Sequence, residues 1–416
     1  MTATAPTPDS VRHEIRDWLA DTWDPDRALV QWRDVLVDSG WAVPSWPQPW
    51  YGRGLPSWAD KVVADELRRA GAVGTPLGGG MSLAAPTILE HGTDELRGRI
   101  LRPTLTGRVT WTQLFSEPGA GSDLAGLSTT AVRDGDDWVV SGQKVWNTSA
   151  HHADYGMLLA RTDWGVPKHE GISYFVLPMK QAGVEVRPIV QMNRHQSFNE
   201  VFLTEARIPA TNLVGGLGDG WRVARTTLMH ERTFATLRRP SFSTGSGRTL
   251  DEAAAEAAAH FATYAWYPQR AGRADLVVER ARHFDRTRDP IVRQEIARLV
   301  SFQRASEWTA ERARAARALG RAPGPEGSLG KLAASEVARR SARAHTSIAG
   351  ASALLTGSDP DDDLAAVIAE VLVSTPAQSI AGGTDEIQRN IIGENILGLP
   401  REPSADRGVP FSDVAR

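Results

Sequence analysis

The chain has 416 residues, 41% apolar and 23% charged, with 47 Lys and Arg against 50 Asp and Glu for a formal net charge of −3. That length predicts several domains with a large buried core, and the near-neutral balance lacks the basic excess that nucleic-acid binding requires. With no cysteine in the sequence, disulfide scaffolds, thiolate metal sites, cysteine nucleophiles and iron–sulfur ligation are excluded, no metal site is expected, and the chemistry falls to oxygen, nitrogen or a borrowed cofactor.

From Pro8 to about 108, apolar residues recur at helical spacing (Val11, Ile15, Leu19; Leu29, Trp32, Leu36; Val63, Leu67), which predicts a mostly helical domain over 1–108. The stretch GWAVPSWPQPWYGRGLPSW inside it is too rich in Pro and Gly for regular structure and reads as an ordered surface loop pinned by Trp41, Trp46 and Trp50. Over 109–214 the period changes to two, with β-branched and aromatic enrichment, predicting an all-β domain of seven or so strands. The helical period then returns over 215–400, with segments at about 219–237, 248–264, 273–286, 290–320, 326–356, 361–374 and 383–396, four or five of them long enough for an antiparallel bundle, followed by a tail over 401–416. An Arg-rich stretch within the bundle, Glu311 to Arg343, reads as a solvated or subunit-facing flank. The most apolar run, Leu364 to Val373, is short and interrupted by Glu370, and the N-terminus lacks the basic flank and apolar core of a signal peptide, so a soluble cytoplasmic enzyme without membrane spans is expected.

Three motifs carry chemistry. Phe115-Ser116-Glu117-Pro118-Gly119-Ala120-Gly121-Ser122-Asp123 closes the first strand, with glycines that let backbone N–H groups approach a ligand and hydroxyls at Ser116 and Ser122. Read alone it is equally a hairpin turn. Lys144-Val145-Trp146-Asn147-Thr148 ends another strand, and alternation puts the Trp146 ring and the Thr148 hydroxyl on one side, an arrangement suited to a planar heteroaromatic group or to a plain core Trp. Gly382-Gly383-Thr384-Asp385-Glu386 opens a late helix with Thr384 as N-cap, either an anion-binding helix start or a helix start alone.

Together and in this order, the three motifs resemble the acyl-CoA dehydrogenase family of flavoproteins over nearly the whole chain. The resemblance implies an N-terminal helical domain, a central antiparallel β-domain and a C-terminal four-helix bundle, with FAD between the last two. It implies Gln113, Phe115, Ser116, Gly121, Ser122, Trp146, Thr148, Thr384 and Glu386 as cofactor-binding residues, with Ser122 also meeting substrate. In many relatives the catalytic Glu stands where this chain has Gly382. Another branch keeps it on the first bundle helix before an Arg, which points to Glu231 as α-proton base, Arg232 as a CoA contact, and the Gly382 and Gly383 N–H groups as oxyanion donors. The implied reaction is α,β-desaturation of an acyl-CoA with electrons passing to an electron-transfer flavoprotein.

Two departures bear on assembly. The Arg-x-x-Phe-Gly segment by which homotetrameric members reach a neighbour's FAD is replaced by His283-Phe284-Asp285-Arg286, and the Gly-Gly near the adenine by Ser347-Ile348-Ala349-Gly350-Ala351. Both resemble the bacterial heterotetrameric members linked to steroid side-chain degradation, and imply an oligomer, hetero- or homomeric, with a related subunit. The alternatives are an oxidase or monooxygenase of the same fold, which an absent base would favour, and a non-catalytic subunit completing a partner's FAD site.

Overall fold

A computed structural model of the chain describes residues 5–234, 245–318, 324, 326–354 and 364–414. Contacts divide the protein into two units, one comprising 1–189, 196–263 and 405–416 and the other 190–195 and 264–404.

The first unit starts with helices α1 (Pro8–Thr22), α2 (Leu29–Asp38) and α3 (Trp58–Arg69). Thr7 opens α1 with a reciprocal cap in which the Ser10 amide donates to its hydroxyl while the Thr7 amide donates to Ser10 Oγ. Val11, Ile15 and Leu19, one turn apart, enter a core with Trp32, Leu36, Trp41 and Val63. The Pro- and Gly-rich loop is ordered, as expected: Trp41 is buried beneath the Arg53 guanidinium, 4.0 Å from the ring centre. Helix α4 (Ala85–His91) continues from one π turn over Gly80–Ala84, and α5 (Asp94–Leu105) leads into the sheet.

The sheet consists of β1 (Trp111–Leu114), β2 (Thr130–Asp134), β3 (Asp137–Thr148), β4 (Tyr155–Arg161), β5 (Ile172–Pro178), β6 (Val184–Ile189), β7 (Phe198–Pro209) and β8 (Leu213–Val214), in the order β6-β7-β3-β2-β4-β5-β8 with β1 beside β4. Its ladders are antiparallel except for β1 with β4 and a single β2–β4 pairing, so it is mixed. Alternate residues of β4 serve different cores. Met157 and Leu159 join Ile88, Leu96, Ile100 and Val223 of the flanking helices, whereas Leu158 and Ala160 join Val140, Val201 and Leu203 of β3 and β7.

Helix α6 (Gly220–Phe234) crosses β5, and its first residue must be glycine, because a Cβ there would lie 2.6 Å from the Ser173 backbone. Helix α7 (Arg248–Thr263) falls within the 215–400 stretch by sequence but packs in the first unit. Its Ala253 enters the α1–α3 core, and its Glu256 takes both guanidinium arms of the buried Arg33 at 2.6 and 2.8 Å.

In the second unit, α8 (Tyr267–Arg270), α9 (Val277–His283), α10 (Pro290–Ala318), α11 (Glu326–Ala349), α12 (Ala365–Ser374), α13 (Pro376–Ile380) and α14 (Asp385–Asn395) surround a core of Val277, Ala281, Val292, Leu299, Ala344 and Ile348. The segment Ala365–Asn395 has an apolar window of mean hydropathy 1.3. It is interrupted after Ser374 and again after Ile380, and α12 has 10 residues, about half the length needed to cross a bilayer.

Candidate active site

The first two motifs are laced together through their backbones. The Val145 amide donates to Ser116 O at 2.9 Å, the Asn147 side-chain amide to Gln113 O at 2.7 Å, and the Thr112 hydroxyl to Thr148 O at 3.0 Å. The end of β1 therefore lies against the end of β3. Simple alternation does not survive there, because β3 shifts register against β7 between Lys144 and Asn147 and Trp146 takes a left-handed conformation at φ 65°. Lys144 and Val145 are consequently both buried, and Trp146 is thrown outward, 58% exposed, with its ring edge-on to Phe198 at 5.8 Å. A left-handed, non-glycine aromatic costs about 1–3 kcal/mol in backbone strain, and such strain clusters at functional positions. Thr148 follows, half-buried.

The pair that secures this junction is one the sequence reading passed over. Lys144 is completely buried and donates to Phe115 O at 3.1 Å and to Glu117 Oε1 at 2.8 Å. Glu117 also accepts from the Ser128 amide and hydroxyl and from the Thr129 amide at 2.7–3.0 Å. Burial alone would raise the Glu117 carboxyl, but the Lys144 ammonium and these donors overcome it and hold the pKa at about 2. The available signal was a Lys next to Val145 and Trp146 late in a strand, with a Glu of opposite charge in the other motif.

Beyond Glu117 the loop turns outward. Glu117 and Ala120 exchange backbone hydrogen bonds at 3.1 Å, while Gly119, Gly121 and Ser122 are exposed and a Cβ on either glycine would meet nothing within 4 Å. Ser116 is half-buried. Phe115 is core, 4% exposed and edge-on to Tyr174, so it faces a ligand only through its backbone.

Helix α6 supplies the carboxylate. Thr227 is fixed by hydrogen bonds with Thr87 of α4 at 3.0 Å and Tyr174 of β5 at 3.2 Å. Glu231 follows one turn later on the same face, half-buried, and the Gln113 amide donates to its Oε2 at 3.5 Å. Gln113, expected to face the cofactor, thus has its side chain directed at Glu231. The side chain of Arg232 lies outside the described residues.

The third motif belongs to the second unit. Thr384 caps α14 by accepting from the Ile387 amide at 3.2 Å, while Gly382 and Gly383 are exposed with φ of 70° and 86°. Glu386 points outward and pairs with Arg389 at 3.4 Å. Asp385, 2% exposed, is held by Lys331 at 3.1 Å and Arg339 at 2.7 Å. Those two cations come from the Arg-rich stretch expected to be solvated. Burial raises the Asp385 carboxyl and the donated hydrogen bonds more than reverse this, holding it at about 2. In the departed segment Phe284 follows α9 as its C-terminal cap, and Asp285 makes a left-handed turn at φ 50°.

The donor set fits a flavin: an exposed aromatic platform at Trp146, half-buried hydroxyl residues at Ser116 and Thr148 on the laced strand ends, and an uncrowded glycine loop. Among the described residues no cluster of His, Asp or Glu suits a metal ion.

Comparison with known proteins agrees along the chain. Models of the acyl-CoA dehydrogenase N-terminal, middle and C-terminal domains match residues 7–108, 112–205 and 244–397. The acyl-CoA dehydrogenase IpdE1 of Mycobacterium tuberculosis is 33% identical over 94% of this chain and 97% of its own, and IpdE1 of Mycolicibacterium smegmatis is 35% identical over the same shares. Among solved structures, the Tcur3481-Tcur3483 steroid ACAD matches with TM-score 0.64 and 26% identity, covering 97% of this chain and all of that one. The ChsE4-ChsE5 complex from Mycobacterium tuberculosis matches with TM-score 0.62 at the same identity and coverage. By these matches over all three domains, the chain belongs to the acyl-CoA dehydrogenase family of flavin-dependent oxidoreductases.

Proposed function

We propose that the protein binds FAD and desaturates an acyl-CoA thioester between its α and β carbons, with Glu231 removing the α-proton. The observation that carries this reading is the half-buried Glu231 carboxylate beside Gln113 at the laced end of β1, in a chain whose other family base position is Gly382. FAD, when bound, would supply the hydride acceptor for the β carbon. Trp146 and Thr148 would hold its ring system and Ser116 and Ser122 would supply hydroxyl donors, with backbone N–H groups around Gly121 and the Thr384–Glu386 helix start as further holding groups.

The chain's own task is the proton. An α-proton of a thioester becomes acidic enough only if the enolate oxygen is stabilised, and one well-placed donor is worth about 2.7–4 kcal/mol. The N–H groups of Gly382 and Gly383 take that role, which requires no side chain. A positioned carboxylate contributes roughly 10²- to 10⁴-fold. Gln113 holds Glu231 by its amide, and Arg232 meets the CoA moiety. Electrons leave to an electron-transfer flavoprotein.

The steroid ACAD and ChsE4-ChsE5 neighbours are complexes of two named chains, which supports a related partner subunit and makes a steroid-derived acyl-CoA the first substrate to test. Exposed apolar side chains of the second unit, Ile291, Trp308, Ile380 and Leu397, support an interface there. The deciding experiment is anaerobic titration of the purified protein, alone and with its partner, against a panel of acyl-CoAs while following flavin absorbance. A flavin-loaded protein that no acyl-CoA bleaches would favour the oxidase or non-catalytic readings.

A further inference from the structure

The chain returns to the first unit at its C-terminus and packs beside the Ser122 loop. The Phe411 amide donates to Val166 O and the Ser412 amide to Trp164 O, both at 2.9 Å, and Pro410 bridges Pro167. These bonds seat the Phe411 ring, 5% exposed, against Trp164 and directly over the Arg161 guanidinium at 3.6 Å. Arg161 is fully buried, and its guanidinium donates to Ala125 O at 2.7 Å, Leu127 O at 3.1 Å and Lys168 O at 3.1 Å. Two of those acceptors are the downstream end of the loop that carries Ser122. On its other side Lys168 bridges Asp123, the residue after Ser122, at 2.8 Å and Asp406 of the tail at 2.6 Å.

A buried cation is tolerated only while its donors are satisfied, and shielding from water keeps those donors on fixed protein acceptors rather than on solvent. Phe411 provides that shielding for Arg161. Remove it and the carbonyls of Ala125 and Leu127 gain water as an alternative partner, so this clamp on the loop loosens while Glu117 still holds Ser128 and Thr129. The Lys168 bridge is more exposed on the Asp123 side, where the carboxylate is 63% accessible, and contributes less.

We propose that residues 405–414 form a positioning strap for the cofactor loop. Phe411 seals the Arg161 guanidinium that anchors Ala125 and Leu127, Asp406 steadies the lysine that holds Asp123, and the strap thereby keeps Ser122 in place for the flavin. The strap touches no reacting group. Its consequence for flavin rests on the reading above; its effect on the loop does not.

The test separates the two. Hydrogen exchange on flavin-free protein is measured over residues 119–129 in wild type, in a chain ending at Ser404, and in Phe411→Ala. Protection should fall by about tenfold or more in both variants while peptides of α1–α3 exchange as before. If the truncated chain does not fold, Phe411→Ala alone carries the measurement. Flavin dissociation from loaded protein should accelerate by a similar factor, and Lys168→Gln should accelerate it less. Wild-type exchange over 119–129 in the folded variants overturns the strap, as does a loosened loop with unchanged flavin release. A loosened loop in a chain that takes up no flavin even with its partner supports the anchoring and overturns the flavin reading instead.

Discussion

The Lys144–Glu117 pair offers the sharpest quantitative test, because it is buried and joins two motifs. Lys144→Met keeps the apolar stem and removes the ammonium, leaving Glu117 with its three donated hydrogen bonds but no countercharge. Breaking a buried pair from one side typically costs about 3–5 kcal/mol, and the surviving bonds put the expected loss at the lower end, about 3 kcal/mol at pH 7. Linkage sets the direction: the Glu117 carboxyl held at about 2 against its ordinary 4.5 favours the folded state, while burial pulls the Lys144 ammonium down and offsets part of that gain. The sign follows from the depressed pKa. In the wild type this stability is complete above pH 4.5 and is lost as pH falls toward 2. Without Lys144, burial dominates and raises the carboxyl, so the variant should regain stability relative to wild type as pH falls from 7 toward 5. Urea unfolding followed by tryptophan fluorescence at pH 7 and pH 5 measures both, and Lys144→Met/Glu117→Gln should recover most of the loss. A single variant as stable as wild type at pH 7, or one whose deficit does not shrink on acidification, would refute the reasoning.

Glu231→Gln should leave acyl-CoA binding intact and slow flavin bleaching by roughly 10²-fold or more in stopped-flow; bleaching at the wild-type rate would assign the proton to another group. Thr148→Ala should weaken flavin affinity and slow flavin reduction while leaving the urea midpoint within a few tenths of a molar, since its hydroxyl lies at a strand end. Flavin loading is expected to rise when the chain is co-expressed with a related subunit, as read from the absorbance ratio at 450 and 280 nm, and full loading of a homo-oligomer would remove the partner. Burial pushes the His345 imidazole, on α11 against Arg273 O at 3.1 Å, down to about 4. Its neutral form is the folded one, so the second unit should lose stability as pH drops below about 6.5 toward 4, and His345→Gln should flatten that part of the profile.

Much of the architecture was legible because periodicity reports burial. Val11, Ile15 and Leu19 announce α1, and the β-branched alternation announces β1, β3, β4, β5 and β7. What stayed hidden depended on partners distant in sequence. Helix α7 looks like bundle material, yet Arg33 and the Leu29 amide bind it to α2 through Glu256 and Glu252. Trp146 could be recognised as a ring beside a hydroxyl, but not as a left-handed bulge residue, since alternation assumes an unbroken ladder. Lys331 and Arg339 read as surface charge until Asp385, over forty residues on, turns inward to meet them.

Backbone conformation rather than space selects glycine at position 382. A Cβ there would meet nothing within 4 Å, so crowding does not select glycine. Backbone conformation does: at φ 70° any other residue costs roughly 1 kcal/mol or more, and a glutamate placed there would start from a strained turn. Gly383 differs, since at φ 86° its Cβ would also lie 2.6 Å from the Gln388 amide, which itself donates to Gly382 O at 3.3 Å. Two consecutive left-handed residues fix the direction of the N–H groups that open α14, and the buried Asp385 beneath them, held by two cations, keeps that direction from drifting. Such a segment would, in the proposed mechanism, serve an oxyanion through its backbone, leaving proton transfer to a side chain elsewhere. In the proposed mechanism that division of labour is why the carboxylate stands on α6, one turn past a threonine pinned to both α4 and β5.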